Sequence, residues 1–404
     1  MPSKASSGLS HLGSAAMRRL LLALVLAVTG IAALAPPAQA VLAPVVPPTI
    51  TGTAEYDAVL TAQPGQWAPA ATGYAYQWLR DAQPIAQATQ QTYRTTEEDL
   101  GHGLSVQVTA TDGTGDSGTA VSAPVGPVQK GTLKAKGGQK IAGVTRFTHT
   151  LNAHPGRYSA KPAKVTYQWR RSGQDIEGAT DKQYEIRPED VGARLKVLMT
   201  VLSPGYQPLE VSTEATPSIK HRVDVRRVVR YHVETRGRIT TSVKEFRTLA
   251  QQTYDDPRGW RSAGIQFVPV KQGGSFTLVL SQASLVPGFS SGCSSMWSCR
   301  VGRFVIINQD RWKNASPAWN AAHLALRDYR HMVVNHETGH WLGLGHAGCP
   351  GKGRLAPVMM QQSKGLNGCK FNPFPTMREI NSRTPHARAM AHQLVRGYIP
   401  VVAE

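Results

Sequence analysis

Residues 336–346, HETGHWLGLGH, carry three histidines at a spacing that suits one metal ion. His336 and His340 are four residues apart, so an α-helix would place both imidazoles on one face, one turn apart. His346 cannot join them from the same straight helix and must come from a chain that turns back. Gly343 is a position where the helix can end in a left-handed residue. The stretch therefore predicts a Zn²⁺ site with three histidine ligands.

Glu337 follows the first ligand by one residue, which places it about 100° around the helix. It would lie close to the ion without pointing at it. A carboxylate there can take a proton from metal-bound water and pass it to a leaving amine. Three protein ligands leave one tetrahedral position open, which indicates a catalytic site and not a closed structural one. The alternative is a site that binds zinc but no longer hydrolyses a substrate.

This pattern resembles the signature of the metzincin metallopeptidases, H-E-x-x-H-x-x-G-x-x-H followed by a Met-containing turn. Within it the three histidines match the ligands, Glu337 the general base and Gly343 the turn. Residues 357–361, PVMMQ, match the Met turn, and the resemblance implies that Met359 lies beneath the zinc. Two departures leave the oxyanion-stabilising residue unidentified: Ala347 follows the last ligand, and no Tyr follows the Met turn.

A closer resemblance is to an uncharacterised family of secreted actinobacterial domains that share the motif, a Gly-Cys-Pro after the last ligand and Pro-Val-Met in the turn. It covers about residues 222–385. The metzincin resemblance implies that this part is an α+β zincin domain that binds Zn²⁺ and hydrolyses a protein or peptide outside the cell. The substrate would lie along an edge strand between Leu280 and Phe304. The competing function is a non-catalytic protein that binds the cell wall.

The C-terminal part alternates between the periodicities of strands and helices. We expect strands at 226–233, 265–270, 276–280 and 304–308, and helices at 242–254, at 320–342 and near 385–395. In the long helix an apolar stripe continues into the ligands through Ala322, Leu326, Tyr329 and Val333. His323 and His331 fall outside the ligand pattern, so we expect them to be structural or surface residues.

An internal repeat appears when the chain is aligned with itself at an offset of 91 residues. LTAQPGQW at 60–67 matches LNAHPGRY at 151–158, and YQW at 76–78 matches YQW at 167–169, without a gap. Short alternating runs between turn residues predict an all-β module. The modules resemble the immunoglobulin-like repeats of exported actinobacterial proteins, with a Trp in the core of each sandwich. That resemblance implies spacing or wall adhesion. The alternative, a sugar-binding platform of Trp and Tyr, fits the strand positions less well.

The predicted fold class is multidomain, with two all-β immunoglobulin-like sandwiches followed by an α+β, metzincin-like zincin domain. The expected boundaries are 1–40 for a signal peptide, 41–129 and 130–221 for the repeats, and 222–404 for the peptidase domain.

The N-terminus has the order of an export signal. Arg18 and Arg19 precede the apolar run 20–34, and Ala-Gln-Ala at 38–40 matches a small-x-small cleavage site, so the mature chain would begin near Val41. The alternative is a membrane anchor, but a span needs about 20 apolar residues and this run is shorter. We therefore expect a secreted or wall-associated protein without a stable membrane span.

Cysteine usage and charge agree with export. The four cysteines, Cys293, Cys299, Cys349 and Cys369, allow three pairings, and proximity favours Cys293–Cys299 with Cys349–Cys369. The net charge of +19 predicts attraction to anionic material, with cell-wall polymers as possible partners. The basic residues form no nucleic-acid-binding motif, so we expect no nucleic-acid partner.

Overall fold

The computed structural model describes residues 41–383. The expected export signal and the helix expected near 385–395 lie outside the described residues. The chain divides into two compact units. One contains the described residues up to Thr53 with Val59–Tyr93 and Gly103–Val125, and the other contains Ala54–Ala58, Arg94–His102 and the described residues from Gly126 onward. The second repeat thus shares a unit with the C-terminal part, and the three-domain division remains a prediction.

Both repeats are built from short strands. Those of the first are β1 Ala43–Val46, β2 Thr49–Thr51, β3 Val59–Gln63, β4 Gln66–Ala68, β5 Gly73–Arg80, β6 Gln83–Pro84, β7 Thr92–Arg94, β8 Leu104–Thr111 and β9 Ser117–Val121. Those of the second are β10 Lys140–Ala142, β11 Thr150–His154, β12 Lys164–Arg171, β13 Gln174–Asp175, β14 Gln183–Glu185, β15 Leu195–Leu202 and β16 Leu209–Ser212. Six strands of the first repeat have exact counterparts in the second. Adding 91 to the residue numbers of β2, β3 and β5 to β8 gives the bounds of β10 to β15.

Each repeat contains a three-stranded and a four-stranded sheet in the same order. The orders are β2-β3-β7 and β6-β5-β8-β9 in the first repeat, and β10-β11-β14 and β13-β12-β15-β16 in the second. In the second repeat one apolar core joins side chains of both sheets, such as Leu151 and Tyr184 with Trp169 and Val197. The expected β-sandwich is therefore present.

The repeated tryptophans belong to these cores. Trp78 and Trp169 are fully buried, and each indole donates a hydrogen bond of 2.9 Å to a backbone carbonyl twelve residues further along. Trp78 stacks on Tyr93 at 5.5 Å between ring centroids, and Trp169 stacks on Tyr184 at 5.1 Å. A buried indole ring offers no face to a sugar, so the platform alternative is wrong for these two residues.

The C-terminal part contains a five-stranded sheet with helices. Its strands are β17 Arg227–Arg236, β18 Ile265–Pro269, β19 Phe276–Ser281, β20 Cys299–Val301 and β21 Phe304–Asn308, in the order β18-β17-β19-β21-β20. Its helices are α1 Val243–Asp255, α2 Gln309–Asn314, α3 Pro317–Ala321, α4 Leu326–Trp341 and α5 Met377–Asn381. Strands β18, β17, β19 and β21 are parallel, whereas β20 is antiparallel and forms one edge.

Helix α1 packs against this sheet and against α4. The Ser242 hydroxyl caps α1 by accepting a hydrogen bond from the Glu245 backbone N–H at 3.1 Å. The predicted buried face includes Phe246, Leu249 and Ala250, which join a core shared with strands β17 to β19 and with α4. This packing fixes α4, the helix that carries the first two histidines.

The prediction of one long helix over 320–342 is wrong. The helix is interrupted between α3 and α4, where His323 adopts a left-handed φ of 54°. Trp319 is buried, and its indole donates a 3.2 Å hydrogen bond to the Ala325 carbonyl across the break. Ala322 is exposed, so the apolar stripe starts only with α4. The burial of Trp319 and its hydrogen bond across the break stabilise two short helices, although the local sequence has the periodicity of one continuous helix.

His331 and His323 are placed as expected for residues outside the ligand set. His331 is buried, and its Nδ1 lies 2.8 Å from the Thr253 hydroxyl of α1. His323 is exposed in the break between α3 and α4. Within residues 41–383 no helix is long and apolar enough to cross a bilayer.

Candidate metal centre

The end of α4 and the turn after it bring three imidazoles together. His336 and His340 lie on the last turns of α4, and Gly343, with a φ of 88°, reverses the chain so that His346 returns toward them. The Nε2 atom of His340 lies 3.1 Å from Nε2 of His336 and 3.1 Å from Nε2 of His346. The three residues form a group that can hold one metal ion.

Backbone carbonyls orient two of these rings. His336 Nδ1 lies 2.7 Å from the Val358 carbonyl oxygen, and His340 Nδ1 lies 2.9 Å from the Leu344 carbonyl oxygen. Each Nδ1 must donate its proton to its carbonyl, which leaves an Nε2 lone pair toward the shared point. A tetrahedral Zn²⁺ with bonds of about 2.0–2.1 Å separates its nitrogen ligands by about 3.3 Å. The donor set therefore fits zinc.

Burial keeps the imidazoles in the form that binds metals. It lowers the pKa of His336 to about 3, and it also lowers the pKa values of His340 and His346. Metal binding requires a neutral imidazole, so these shifts remove competition from protons near neutral pH.

Glu337 is a buried carboxyl group beside the triad. It is 5 % exposed and lines the same cleft as the three histidines. Desolvation raises its pKa to about 8 in the absence of a metal charge. Among residues 41–383 no hydrogen bond or ion pair of its carboxylate is found. A buried carboxyl group without a protein partner is costly to fold and is characteristic of a functional site.

The floor of the site is a close contact between α4 and the Met turn. A Cβ atom added to Gly339 would lie 2.2 Å from Met359 Sδ and 3.0 Å from Trp260 Cζ2. Met359 is 1 % exposed and Trp260 is fully buried. The glycine thus allows Met359 to pack directly against the helix between His336 and His340.

Glu379, which the sequence analysis missed, holds the Met turn. Its carboxylate accepts hydrogen bonds from the backbone N–H groups of Val358 at 3.2 Å and Met359 at 2.9 Å. It also accepts 2.7 Å bonds from the backbone N–H and hydroxyl of Thr376, which form a capping box at the start of α5. The spacing Thr376-x-x-Glu379 was a sequence signal for this helix start, but nothing local connects it to residue 359.

Replacing Glu379 by alanine is expected to destabilise this part of the chain by about 3 kcal/mol, because it leaves the buried N–H groups of Val358 and Met359 without acceptors. Urea unfolding of the purified protein measures the loss. The control is Glu245→Ala, which removes an exposed partner of Arg330 and should cost at most about 1 kcal/mol. Equal losses in the two variants would show that the Glu379 carboxylate does not support the turn.

The triad lies in a cleft of about 570 Å³ beside the edge strand β20. One wall comes from the segment that ends in Cys299 and Arg300, and the other from the chain after the Met turn, including Ser363 and Lys364. Arg300 and Lys364 are exposed, and their charged groups have no ion pair among residues 41–383. The sequence predicts an edge strand in this region but carries no signal that distinguishes these two cations from the other basic residues.

Two disulfides border the cleft and the turn after the ligands. Cys293 pairs with Cys299, and Cys349 pairs with Cys369, as sequence proximity favoured. The first disulfide lies in the cleft wall. Disulfides of this kind are typical of exported proteins.

Comparison with known proteins gives a family of unknown function and no curated relative. Residues 206–386 match the family described as "Protein of unknown function (DUF3152)", a span that includes every residue of the metal centre. No curated protein matches the chain.

Solved structures similar to this chain include three N-terminal domains of the Hoc outer capsid protein of bacteriophage RB49. That match has 16 % identity and a TM-score of 0.21, and it covers 48 % of this chain and 65 % of the other. Another is a two-domain fibronectin type III segment of chicken tenascin, with 11 % identity, a TM-score of 0.22, and coverage of 41 % of this chain and 98 % of the other. TM-scores this low support no conclusion about relationship or function.

Proposed function

We propose that this protein is a secreted zinc metallopeptidase whose C-terminal part is a metzincin-like α+β domain. The observation that carries the proposal is the cluster of three Nε2 atoms beside the unpartnered carboxyl group of Glu337. A purely structural zinc site is normally closed by four protein ligands. Here three ligands face an open cleft, which supports a role in catalysis.

When bound, Zn²⁺ would supply Lewis acidity toward a water molecule and toward the carbonyl oxygen of the scissile bond. The side chains and backbone of the protein would bind the ion, orient its ligands and transfer the proton. His336, His340 and His346 would hold the ion, and the Val358 and Leu344 carbonyls orient the first two rings. Glu337 accepts the proton from the attacking water and returns it to the leaving amine. The buried side chain of Met359 packs against Gly339 and closes the floor of the site.

Strand β20 gives the substrate a place to bind. It is an edge strand, so one side of its backbone is free to pair with an extended peptide. The cleft beside it contains serine and glutamine side chains and has a volume of about 570 Å³. This arrangement suits a protein or peptide substrate better than a compact small molecule.

Cleavage of an unbiased peptide library by the purified full-length protein, with its zinc content measured in parallel, tests the proposal. We expect about one zinc per chain and cleavage that a chelator abolishes. Bound zinc without cleavage of any peptide would favour the alternative, a degenerate zinc-binding adhesion protein. Cleavage that survives zinc removal would contradict the proposed site.

Chelation is also expected to destabilise the protein. An ion at about a thousandfold above its Kd adds about 4 kcal/mol of stability, so its removal should lower Tm of the C-terminal part by about 10 °C. Differential scanning calorimetry with and without chelator measures the shift, and added zinc should reverse it. In His340→Asn the shift should vanish. A chelator effect of equal size in that variant would mean that the stabilising ion binds elsewhere.

A further inference from the structure

A second candidate binding site lies in the second repeat, far along the sequence from the metal centre. It is an open groove of about 690 Å³ bordered by three cationic side chains, those of Lys136, Arg157 and Lys161. All three side chains are exposed, and no acidic residue lines the groove.

Backbone hydrogen bonds join the two segments that form this groove. Ala135 pairs with Tyr158 in an antiparallel bridge, and the Lys136 N–H donates a 2.7 Å hydrogen bond to the Arg157 carbonyl. The Tyr158 ring is buried, and its hydroxyl donates a hydrogen bond to the Pro155 carbonyl. A buried anchor thus fixes the positions of the cations, while their charged ends remain in solvent.

These cations have no acidic partners. Residues 117–174 contain ten Lys and Arg but no Asp or Glu. Three of those ten reach carboxylates outside the stretch: Arg146 pairs with an aspartate, and so do Arg170 and Arg171. Within residues 41–383 no ion pair joins Lys136, Arg157 or Lys161 to a carboxylate. No carboxylate among these residues neutralises the three cations, so an anionic ligand would not have to displace an internal partner.

The first repeat shows that the fold does not require these charges. At an offset of 91 residues, Val45, Gln66 and Ala70 stand where the second repeat has Lys136, Arg157 and Lys161. The local pairing is the same, because Pro44 pairs with Trp67 as Ala135 pairs with Tyr158.

The duplicated modules also differ in total charge. Residues 41–129 have 2 Lys and Arg against 8 Asp and Glu, whereas residues 130–221 have 15 against 8. One scaffold therefore occurs in an acidic and a basic form within one chain. The cations of the groove are an addition to the scaffold and not a part of its packing.

We propose that this basic groove binds an extended polymer of sugar or polyol units joined by phosphodiesters. Ammonium and guanidinium groups make strong, charge-assisted hydrogen bonds to phosphate oxygens. The groove offers no exposed aromatic ring on which a nucleobase could stack, so single-stranded nucleic acid fits less well. Binding here goes beyond the proposed peptidase activity and does not depend on it, because no residue of the groove belongs to the metal centre.

The test uses the full-length protein with poly(glycerol phosphate) as the probe and uncharged dextran as the polymer control. We expect binding whose affinity falls steeply with salt concentration, because phosphate contacts release condensed counterions. Replacing the three cations by their counterparts from the first repeat, as Lys136→Val, Arg157→Gln and Lys161→Ala, should weaken binding by about tenfold or more and flatten the salt dependence.

The matched control removes three positive charges elsewhere, as Lys244→Gln, Arg247→Gln and Lys271→Gln. All three residues are exposed in the C-terminal part. This control should bind nearly as well as the wild type. Equal losses in the two triple variants would overturn the proposal, because net charge alone would then explain binding. Absence of wild-type binding at low salt would also overturn it.

The duplication allows a gain of function to be tested as well. Val45→Lys, Gln66→Arg and Ala70→Lys should give the first repeat a second site and raise the number of polymer segments bound per chain. Tm of every variant is compared with that of the wild type, so that unfolding is not read as lost binding. Equal or tighter binding to single-stranded DNA or to phosphatidylglycerol vesicles through the same three residues would contradict the assigned polymer class.

Discussion

Glu337→Gln is expected to lower kcat for peptide cleavage by about 10²–10⁴-fold while zinc remains bound. Glutamine preserves the shape of the side chain but cannot accept a proton from water. The residue is not one of the three Nε2 donors, so the ion should be held as before. The carboxyl group is buried and lines the same cleft as the three histidines.

Steady-state kinetics on one cleaved peptide, with zinc measured in the same samples, checks this expectation. Lost activity at full zinc occupancy supports the assigned role. Glu245→Gln, at an exposed position of helix α1, is the matched control and should leave kcat unchanged. Full activity in Glu337→Gln would end the assignment of this residue as the base. A parallel loss of zinc would instead make it a residue that maintains the site.

Gly339→Ala is expected to destabilise the C-terminal part by about 2–3 kcal/mol, even though alanine is the better helix former by about 1 kcal/mol. The new methyl group would lie 2.2 Å from Met359 Sδ, far below the contact distance of about 3.5–4.0 Å. Met359 is 1 % exposed and cannot swing into solvent. Trp260 blocks the other side at 3.0 Å. Either the Met turn or helix α4 must move. The helix carries two of the predicted ligands, and the Val358 carbonyl of the Met turn orients one of them.

A double-mutant cycle with Met359→Ala measures this contact. The double variant should be more stable than the sum of the single losses predicts, by at least about 1 kcal/mol, because removal of the sulfur makes room for the methyl group. Gly288→Ala is the control, since a Cβ atom there meets no atom within 4 Å. Additive losses, or a stability of Gly339→Ala equal to that of the control, would show that the two residues are not in tight contact.

The ligand spacing and the duplication could be predicted because each depends on short-range geometry. His336 and His340 share a helix face at any i, i+4 spacing, and Gly343 adopts the left-handed φ that its position required. The repeat strands recur at the same 91-residue offset in sequence and in structure because each module folds by the same local pattern.

Features set by long-range packing could not be predicted. The break at His323 follows from the burial of Trp319, which helical periodicity does not encode. The Glu379 carboxylate reaches a turn 20 residues earlier in the chain, and the Val358 carbonyl reaches His336 across 22 residues. Such partners have no sequence signature, since a backbone carbonyl exists at every residue.

The charge contrast between the repeats was available in the sequence but required alignment of the two modules. Counting Lys and Arg over the whole chain hides it, because the acidic first repeat offsets the basic second one. The structure adds that the Lys136 N–H donates a hydrogen bond to the Arg157 carbonyl, which places the two residues side by side. Duplicated modules are therefore best compared position by position, so that the scaffold of one serves as the reference for the other.

Zinc titration of the metal-free protein tests the central claim most directly. Protein stripped by a chelator should be inactive, and peptide cleavage should return in proportion to added Zn²⁺ and saturate at one equivalent per chain. His340→Asn should stay inactive at every zinc concentration. Two results would contradict the account. One is full zinc binding by the wild type without cleavage of any library peptide, and the other is cleavage whose rate does not depend on added zinc.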